Sequence, residues 1–412
     1  MNITHANEPL RALCIVMGSV TDRPILLSRD MALIERLSKR GIRFIVRAHE
    51  VDVTSPQVEK YAESLAALGI RFDATRARNR LVDMTFDLLW GWRAIRSDNI
   101  SVVFSRGLAA SLVNVALRRL CGVGFVYRSS GLIAEEQAAL GQVKRGGLAH
   151  RALIWAERMI YTHSDAVFCV SSPMQEYVRT MAPKTATFLT PNAVDIERFR
   201  YDPEMRRKTR ARLRLDDHFL CVFSGASWKW EMLEETAKAF SAFAKAVPRA
   251  YLLAIVYDPD RVQPLLARHL GSNQFTVMTV PWHEMPSLLM AGDMGLLPRS
   301  RDLVSRVASP IKFGEYLACG MPVLITAGIG DFSDMVKEHQ LGVVVEDVAD
   351  TAAVAAGAQR LMDLVNRDGD ALRRKCADFA RKELGWDRII EESERAFRHA
   401  ASCARQQSGH PR

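Results

Sequence analysis

Ser309-Pro310-Ile311-Lys312-Phe313-Gly314-Glu315-Tyr316-Leu317-Ala318-Cys319-Gly320-Met321-Pro322-Val323 is the stretch whose reading decides the fold. It reads as a loop, a helix start, a short helix, a stop and a strand. Ser309 is a candidate N-cap, because its hydroxyl can accept from an orphan amide. Pro310 suits the first helical position, where a missing N–H costs nothing. Gly320 can take the left-handed conformation just past the helix, and Pro322 keeps the helix from continuing. Val323-Leu324-Ile325 then reads as a parallel strand buried on both faces.

Two charges sit inside this short helix. Lys312 falls in the first turn, where the helix dipole prefers an anion. An anion docked at the helix start would share the free amides and the ammonium. Glu315 lies one turn deeper on the same face. Its two acceptor oxygens can take both hydroxyls of a vicinal diol. A phosphate site beside a diol site describes a nucleotide. The same residues also fit an ordinary amphipathic helix with a Lys–Glu pair.

The stretch resembles the nucleotide-sugar motif of family 4 glycosyltransferases, which have the GT-B fold. Those enzymes usually carry two glutamates separated by seven residues. Glu315 matches the second. Val307 stands where the first would fall, as in a branch with a Ser-Pro-x-Lys-x-x-Glu-Tyr pattern. The resemblance covers most of the chain and is most specific here. It implies an α/β chain of two Rossmann-like domains facing a cleft, with no cofactor and no metal.

Length and composition agree with two domains. The chain has 412 residues, 48% of them apolar, enough for two packed cores. No apolar run approaches the ~18 residues of a spanning helix. Leu13-Cys14-Ile15-Val16-Met17 reads as a first strand rather than a signal peptide, because Asp22 and Arg23 follow soon after. The seven cysteines are scattered and no pair has metal spacing, which points to a reducing, cytoplasmic compartment. The net charge of +9 is unevenly placed. Residues 1–195 carry 25 Lys and Arg against 18 Asp and Glu, and residues 196–412 carry 31 against 29. No basic arm or RNA-binding motif accompanies the excess, so nucleic acid is not an expected partner. An anionic substrate or membrane surface fits better.

Read in order, residues 11–17 form a strand, 26–40 a helix, and Arg43-Phe44-Ile45-Val46 the next strand, a βαβ opening. Gly18-Ser19 turns between them. The family resemblance puts a glycine-rich, acceptor-side loop there, and a plain βα loop is the other reading. Residues 56–68, 79–96 and 108–120 have helical pattern. Arg106 and Arg128 end two further strands, where ligands sit in open α/β sheets. Arg106-Gly107 and Arg128…Gly131…Glu135-Glu136 resemble cleft-facing family segments, although the histidine found there in many members is absent. Pro191-Asn192-Ala193-Val194-Asp195…Phe199 resembles the family's interdomain segment. The expected domains are therefore 1–195, binding acceptor, and 196–385, binding the nucleotide sugar. A helix within 386–405 would return to the first domain. Residues 200–216 read as an exposed charged helix, and the tail from Gln406 as disordered.

In the second domain, Gly225 and Lys229 match the family's diphosphate-binding pattern, and Ala226 replaces its arginine. Arg299 or Arg306 could supply the missing cation. Trp228 and Trp230 fit either a pocket lid or exposed packing on a helix. Val280 and Trp282 lie at the strand end whose backbone reads the base in the family. Asp258-Pro259-Asp260 could hold a metal, but its proline favours a turn. With Ser309, Ile311, Lys312 and Glu315, these residues make the expected donor site, and Lys229, Lys312 and Glu315 its catalytic set.

The resemblance implies retaining transfer of a sugar from a nucleotide-diphosphate sugar to a hydroxyl. The acceptor class is a glycan or a polyprenyl-linked intermediate of cell-envelope synthesis. The expected location is cytoplasmic, with a peripheral position on the inner membrane face. Arg71, Arg76, Arg78 and Arg80, ahead of Leu81, Phe86, Leu88, Leu89, Trp90 and Trp92, fit such a surface; a core helix with surface arginines is the alternative. Two rivals remain. A catalytically inactive scaffold subunit would also lack the first glutamate and the histidine. A dinucleotide-dependent oxidoreductase would need Gly-x-Gly-x-x-Gly after the first strand, and residues 18–23 do not supply it.

Overall fold

The structure is a computed structural model and describes residues 9–21 and 30–408. The chain forms two compact units. Unit 1 holds the residues up to Val170, Met174–Thr190 and the residues from Ile389 onward; unit 2 holds Ser171–Pro173 and Pro191–Arg388. Each is built on one parallel sheet.

Unit 1 contains β1 (Arg11–Val16), β2 (Arg43–Glu50), β3 (Arg71–Arg76), β4 (Val102–Arg106), β5 (Gly124–Ser129), β6 (Ala166–Cys169) and β7 (Ala186–Leu189). Their order is β3-β2-β1-β4-β5-β6-β7. Leu13 stands opposite Ile45 on one side and Val103 on the other. The sheet order reverses between β1 and β4, a topological switch point. The central strands are nearly continuous apolar runs because helices cover both faces. β3 escapes that pattern: Arg-Phe-Asp-Ala-Thr-Arg sits at the sheet edge, only partly covered, so it carries charges and does not read as a core strand.

The final helix, Trp386–Ser408, begins in unit 2 and packs on the unit 1 sheet. Phe397 inserts among Phe44, Phe104 and Phe168, with ring centroids 5.5, 5.5 and 6.0 Å away. Gly124 of β5 is required beneath it, because a Cβ there would lie 2.3 Å from the Ala400 carbonyl oxygen. Residues 406–408, expected to open a disordered tail, continue this helix, and 409–412 lie outside the described residues. Of the helix expected over 26–40, Ala32–Lys39 is helical, and residues 22–29 lie outside the described residues.

Unit 2 contains β8 (Phe219–Gly225), β9 (Ala250–Val256), β10 (Phe275–Met278), β11 (Met294–Leu297), β12 (Val323–Thr326) and β13 (Gly342–Val345), in the order β10-β9-β8-β11-β12-β13. The switch here lies between β8 and β11. After β13 the chain forms one long element, Thr351–Glu383, broken only at Gly369 with φ 50° and ψ −121°.

The helix Pro203–Leu213 is less exposed than its charge suggests. Arg210 is buried and Arg206 half-buried, because both turn onto Asp293 in the turn before β11. Arg373 reaches the same carboxylate at 2.7 Å, and the Leu220 amide donates to it at 2.9 Å. Burial alone would raise the Asp293 pKa. The three guanidiniums and the amide overturn that and hold the carboxyl below its usual range.

The deciding stretch folds as helix, stop and strand, with one correction. The helix runs Ile311–Ala318, and its N-cap is Pro310, at ψ 123°, with no side-chain cap. Ser309 does not cap it; its hydroxyl accepts from the Asn192 amide at 3.1 Å. At the other end Gly320 has φ +71°. Its amide donates to the Leu317 carbonyl and that of Met321 to the Tyr316 carbonyl, a Schellman closure. β12, directly after, is buried along its length.

Candidate functional site

The C-terminal ends of β8, β11 and β12 converge on the start of the Ile311–Ala318 helix. Lys312 is buried there, its ammonium 4.8 Å from the centre of the Phe223 ring of β8. Gly225 ends β8 at φ +128°, and a Cβ on it would stand 3.4 Å from Lys312 Nζ. Arg299, just past β11, is also buried; its amide donates to Thr326 Oγ1 at 2.9 Å, and that hydroxyl donates to the Arg299 carbonyl at 3.1 Å. These bonds fix Arg299 between the ends of β11 and β12. Its Nε is buried without a hydrogen-bond partner.

Between the two cations stands a residue that the sequence reading passed over, Glu231. It closes the 3₁₀ turn Lys229–Glu231 and is buried. Lys312 donates to its Oε2, and Arg299 Nη2 lies 3.4 Å from its Oε1. An acid two residues past a phosphate-type lysine was the available signal. Burial lowers the Lys312 pKa, while Glu231, and less strongly Glu315, raise it. Glu315 is buried one turn along the same helix. Tyr316 ties that helix to β8: its hydroxyl oxygen accepts from the Ser224 amide at 2.8 Å.

The remaining expected donor residues divide. Lys229 is exposed at the head of the 3₁₀ turn, while Ala226 and Ile311 are half-buried. Trp228 and Trp230 stack on each other at 5.8 Å. Val280 is half-buried beyond β10. Trp282 packs under the Arg198 guanidinium at 3.7 Å and edge-on to Phe199. Val307 is a core residue whose carbonyl accepts from Ser171. Asp258 accepts from the Ser227 hydroxyl. Among the described residues no group of three or more His, Cys, Asp or Glu side chains is placed to hold a metal ion.

In unit 1, Gly18 and Ser19 turn after β1, and a second overlooked acid holds that loop. Glu50, buried at the end of β2, accepts from the Ser19 and Thr21 hydroxyls and from the Val20 amide at 2.8 Å. Arg106 and Arg128, at the ends of β4 and β5, come together on Asp30 at 3.5 and 3.1 Å. Glu135 pairs with Arg145 and His150 at 2.9 and 3.2 Å. Glu136 presses on Gly131, where a Cβ would lie 1.9 Å from its Oε1. Beside them Glu157 is buried against the start of the helix Ile133–Ala139 and accepts from the Ile133 amide at 2.7 Å. Burial pushes its carboxyl up to about 7.

Two family models match the chain: a glycosyl transferase 4-like domain over residues 31–193, and glycosyl transferases group 1 over residues 205–383. Together with the two switch-point sheets, they define a glycosyltransferase of GT-B fold. The chain belongs to the family 4 type of these enzymes. It is 26% identical, over 77% of its length and 83% of the relative's, to a GDP-mannose-dependent alpha-(1-6)-phosphatidylinositol monomannoside mannosyltransferase of Mycolicibacterium smegmatis. Among solved structures it resembles sucrose-phosphate synthase of Thermosynechococcus elongatus, with a TM-score of 0.69, 16% identity and coverage of 95% and 99% of the two chains. It also resembles Anabaena HepE, solved in complex with UDP, with a TM-score of 0.71, 12% identity and coverage of 94% and 100%. At these identities the structural likenesses speak for the fold.

Proposed function

We propose that the chain transfers a sugar, with retention, from a nucleoside-diphosphate sugar held by unit 2 to a hydroxyl of a lipid-linked or glycan acceptor held by unit 1. The observation that carries this reading is the buried pair Lys312 and Arg299 at the ends of β8, β11 and β12, with Glu315 one helical turn beyond. Cations buried at a switch point beside an uncapped helix start suit a diphosphate. Glu315 suits the ribose diol. Lys229, exposed at the rim, adds a third cation. In the reaction, Lys312, Arg299 and the first amides of the Ile311–Ala318 helix stabilise the charge that grows on the departing diphosphate. The leaving phosphate takes the acceptor proton, so no protein nucleophile is required. The named activity of the mycobacterial relative makes GDP-mannose the first donor to try, and the UDP bound by HepE makes UDP-sugars the second.

The acceptor reading draws on the helix Arg80–Ser97, whose first half, up to Leu89, has inverted exposure. Its acids face inward: Asp87 accepts from Arg47 Nε at 2.8 Å and pairs with His49 at 2.7 Å, and Asp83 lies 3.4 Å from His49. Leu81, Leu89 and Phe86 face outward at 74%, 52% and 49% exposure, while Gly91, Ala94 and Ile95 of its second half are buried. Arg76, Arg78 and Arg80 are exposed just before them. A helix buried along its whole length would cover Leu81 and Leu89 as well. An outward apolar strip rimmed by arginines suits an anionic membrane surface and an acceptor with a lipid tail.

Calorimetry with GDP and UDP tests the donor site. Glu315→Ala removes charge-assisted bonds worth roughly 1.5–3 kcal/mol, so affinity for the preferred nucleotide falls about ten- to a hundredfold. Unchanged affinity in a folded variant removes Glu315 from the site.

A further inference from the structure

We infer that Glu231 is a positioning residue for the donor diphosphate: its carboxylate gathers Lys312 and Arg299 into one cationic pair and presents that pair to the ligand. The inference rests on the reading of unit 2 as the donor site. Three separately folded pieces meet at this carboxylate: the turn Lys229–Glu231, the segment after β11, and the first turn of the Ile311–Ala318 helix. Each oxygen takes one cation, Oε2 Lys312 and Oε1 Arg299. An ammonium has three donors and a guanidinium five, so one carboxylate does not exhaust either. Arg299 Nε still lacks a partner. Gly225 leaves the wall beside Lys312 Nζ bare.

The charge balance explains why the acid is needed. Lys312 is buried, and it sits in the turn of its helix where the dipole opposes a cation. Both effects favour the neutral amine, which cannot hold a diphosphate by charge. The groups facing Lys312 are Glu231 from the 3₁₀ turn, Arg299 from beyond β11, Glu315 from its own helix and the Phe223 ring from β8. Burial and Arg299 push its pKa down, while Glu231 first and Glu315 less push it up. Burial still leaves the Lys312 pKa below its ordinary value, and Glu231 limits that fall and so favours the charged ammonium. An arginine at 312 would stay charged without that help.

A pair that merely braced the fold would behave differently, since a buried ion pair lost from a structural position lowers stability without a signature in ligand binding. The test measures binding of inorganic pyrophosphate, GDP and UDP to the full chain at pH 6, 7.5 and 9. The variants are Glu231→Gln, Lys312→Arg and the double variant Glu231→Gln/Lys312→Arg. Each affinity is divided by the wild-type value at the same pH, which cancels ionisation of the ligand, and melting curves confirm folding. Glu231→Gln is expected to bind within about threefold of wild type, or more tightly, at pH 6, and at least about tenfold more weakly at pH 9. The double variant is expected to give a flat ratio. If Glu231→Gln does not fold, Glu231→Asp carries the test, with a smaller fall toward pH 9. A ratio for the glutamate variants that does not change with pH, or a double variant that keeps the fall, overturns the inference and leaves the donor site standing. Wild-type chain that binds none of the three ligands overturns both.

Discussion

Glu157 shows what a single buried carboxyl does to this chain. Its carboxyl titrates at about 7 in the folded state, because burial outweighs the bonds from the Ile133 and Ala134 amides and Glu136 and Glu135 add repulsion. The unfolded chain ionises this residue near the ordinary value, roughly 4.3. Between about pH 4.5 and 7 the folded state therefore holds the extra proton, and stability falls as pH rises. The whole window is worth on the order of 3 kcal/mol. Glu157→Gln removes the slope: relative to wild type, its melting temperature is higher at pH 8 than at pH 4.5. Equal differences at the two pH values would mean that the residue ionises freely when folded. Such a residue is silent in the sequence. Glu157 follows Trp155 and Ala156 in a helix whose arginines, Arg151 and Arg158, face water, and the packing of Ile133 and Ala134 against it gives it its environment.

Among elements, the stretch Ser309–Val323 was legible because its signals are local: a proline before the helix, a glycine after it and three apolar β-formers beyond. The error over Ser309 was also local in origin. A hydroxyl before a helix has several possible partners, and here Asn192, 117 positions away, takes it. Lys312 and Glu315 were readable as a pair by helical spacing, whereas Glu231 was not, since it meets Lys312 across 81 positions. Asp293 shows the same limit. The helix Pro203–Leu213 is docked through Arg206 and Arg210 onto an acid more than 80 residues on. Asp293→Asn leaves three arginines without their shared counter-charge, a loss of about 3–5 kcal/mol by comparison with other broken buried pairs. The melting temperature is expected to drop by on the order of 10 °C. In wild type this contribution is complete above the unfolded pKa of about 3.9 and is lost as pH falls through the lower folded value. A shift of only a degree or two in Asp293→Asn would show the network to be dispensable.

For the whole molecule, the two Rossmann-like domains were legible through the resemblance to family 4 glycosyltransferases, and the strand orders with their switch points came only with the structure. The division of surface from core was less legible. The helix Arg80–Ser97 reads either as a core helix or as a membrane face, and nothing in its spacing shows that Asp83 and Asp87 turn inward onto His49 and Arg47. The helix Leu148–His163 repeats the pattern, with Leu148 and Trp155 exposed beside Arg151 and Arg158. If these faces meet a bilayer, co-sedimentation with vesicles requires anionic lipid and weakens at high salt. It also falls when Arg76, Arg78 and Arg80 become Gln, each arginine contributing about 1 kcal/mol near the leaflet. Equal binding to neutral and anionic vesicles at low salt would assign the charge excess of residues 1–195 to something else.

The central claim is that unit 2 activates a nucleoside-diphosphate sugar through buried cations. Its most direct test is release of nucleoside diphosphate from a panel including GDP-mannose and UDP-glucose, by wild type and by Lys312→Met. The account predicts slow turnover of one donor class by wild type. It also predicts a loss of at least about a hundredfold in Lys312→Met, roughly 2.7 kcal/mol of barrier, with the melting curve still cooperative. A folded wild-type chain that turns over no donor, or a Lys312→Met variant that works as well as wild type, would contradict it.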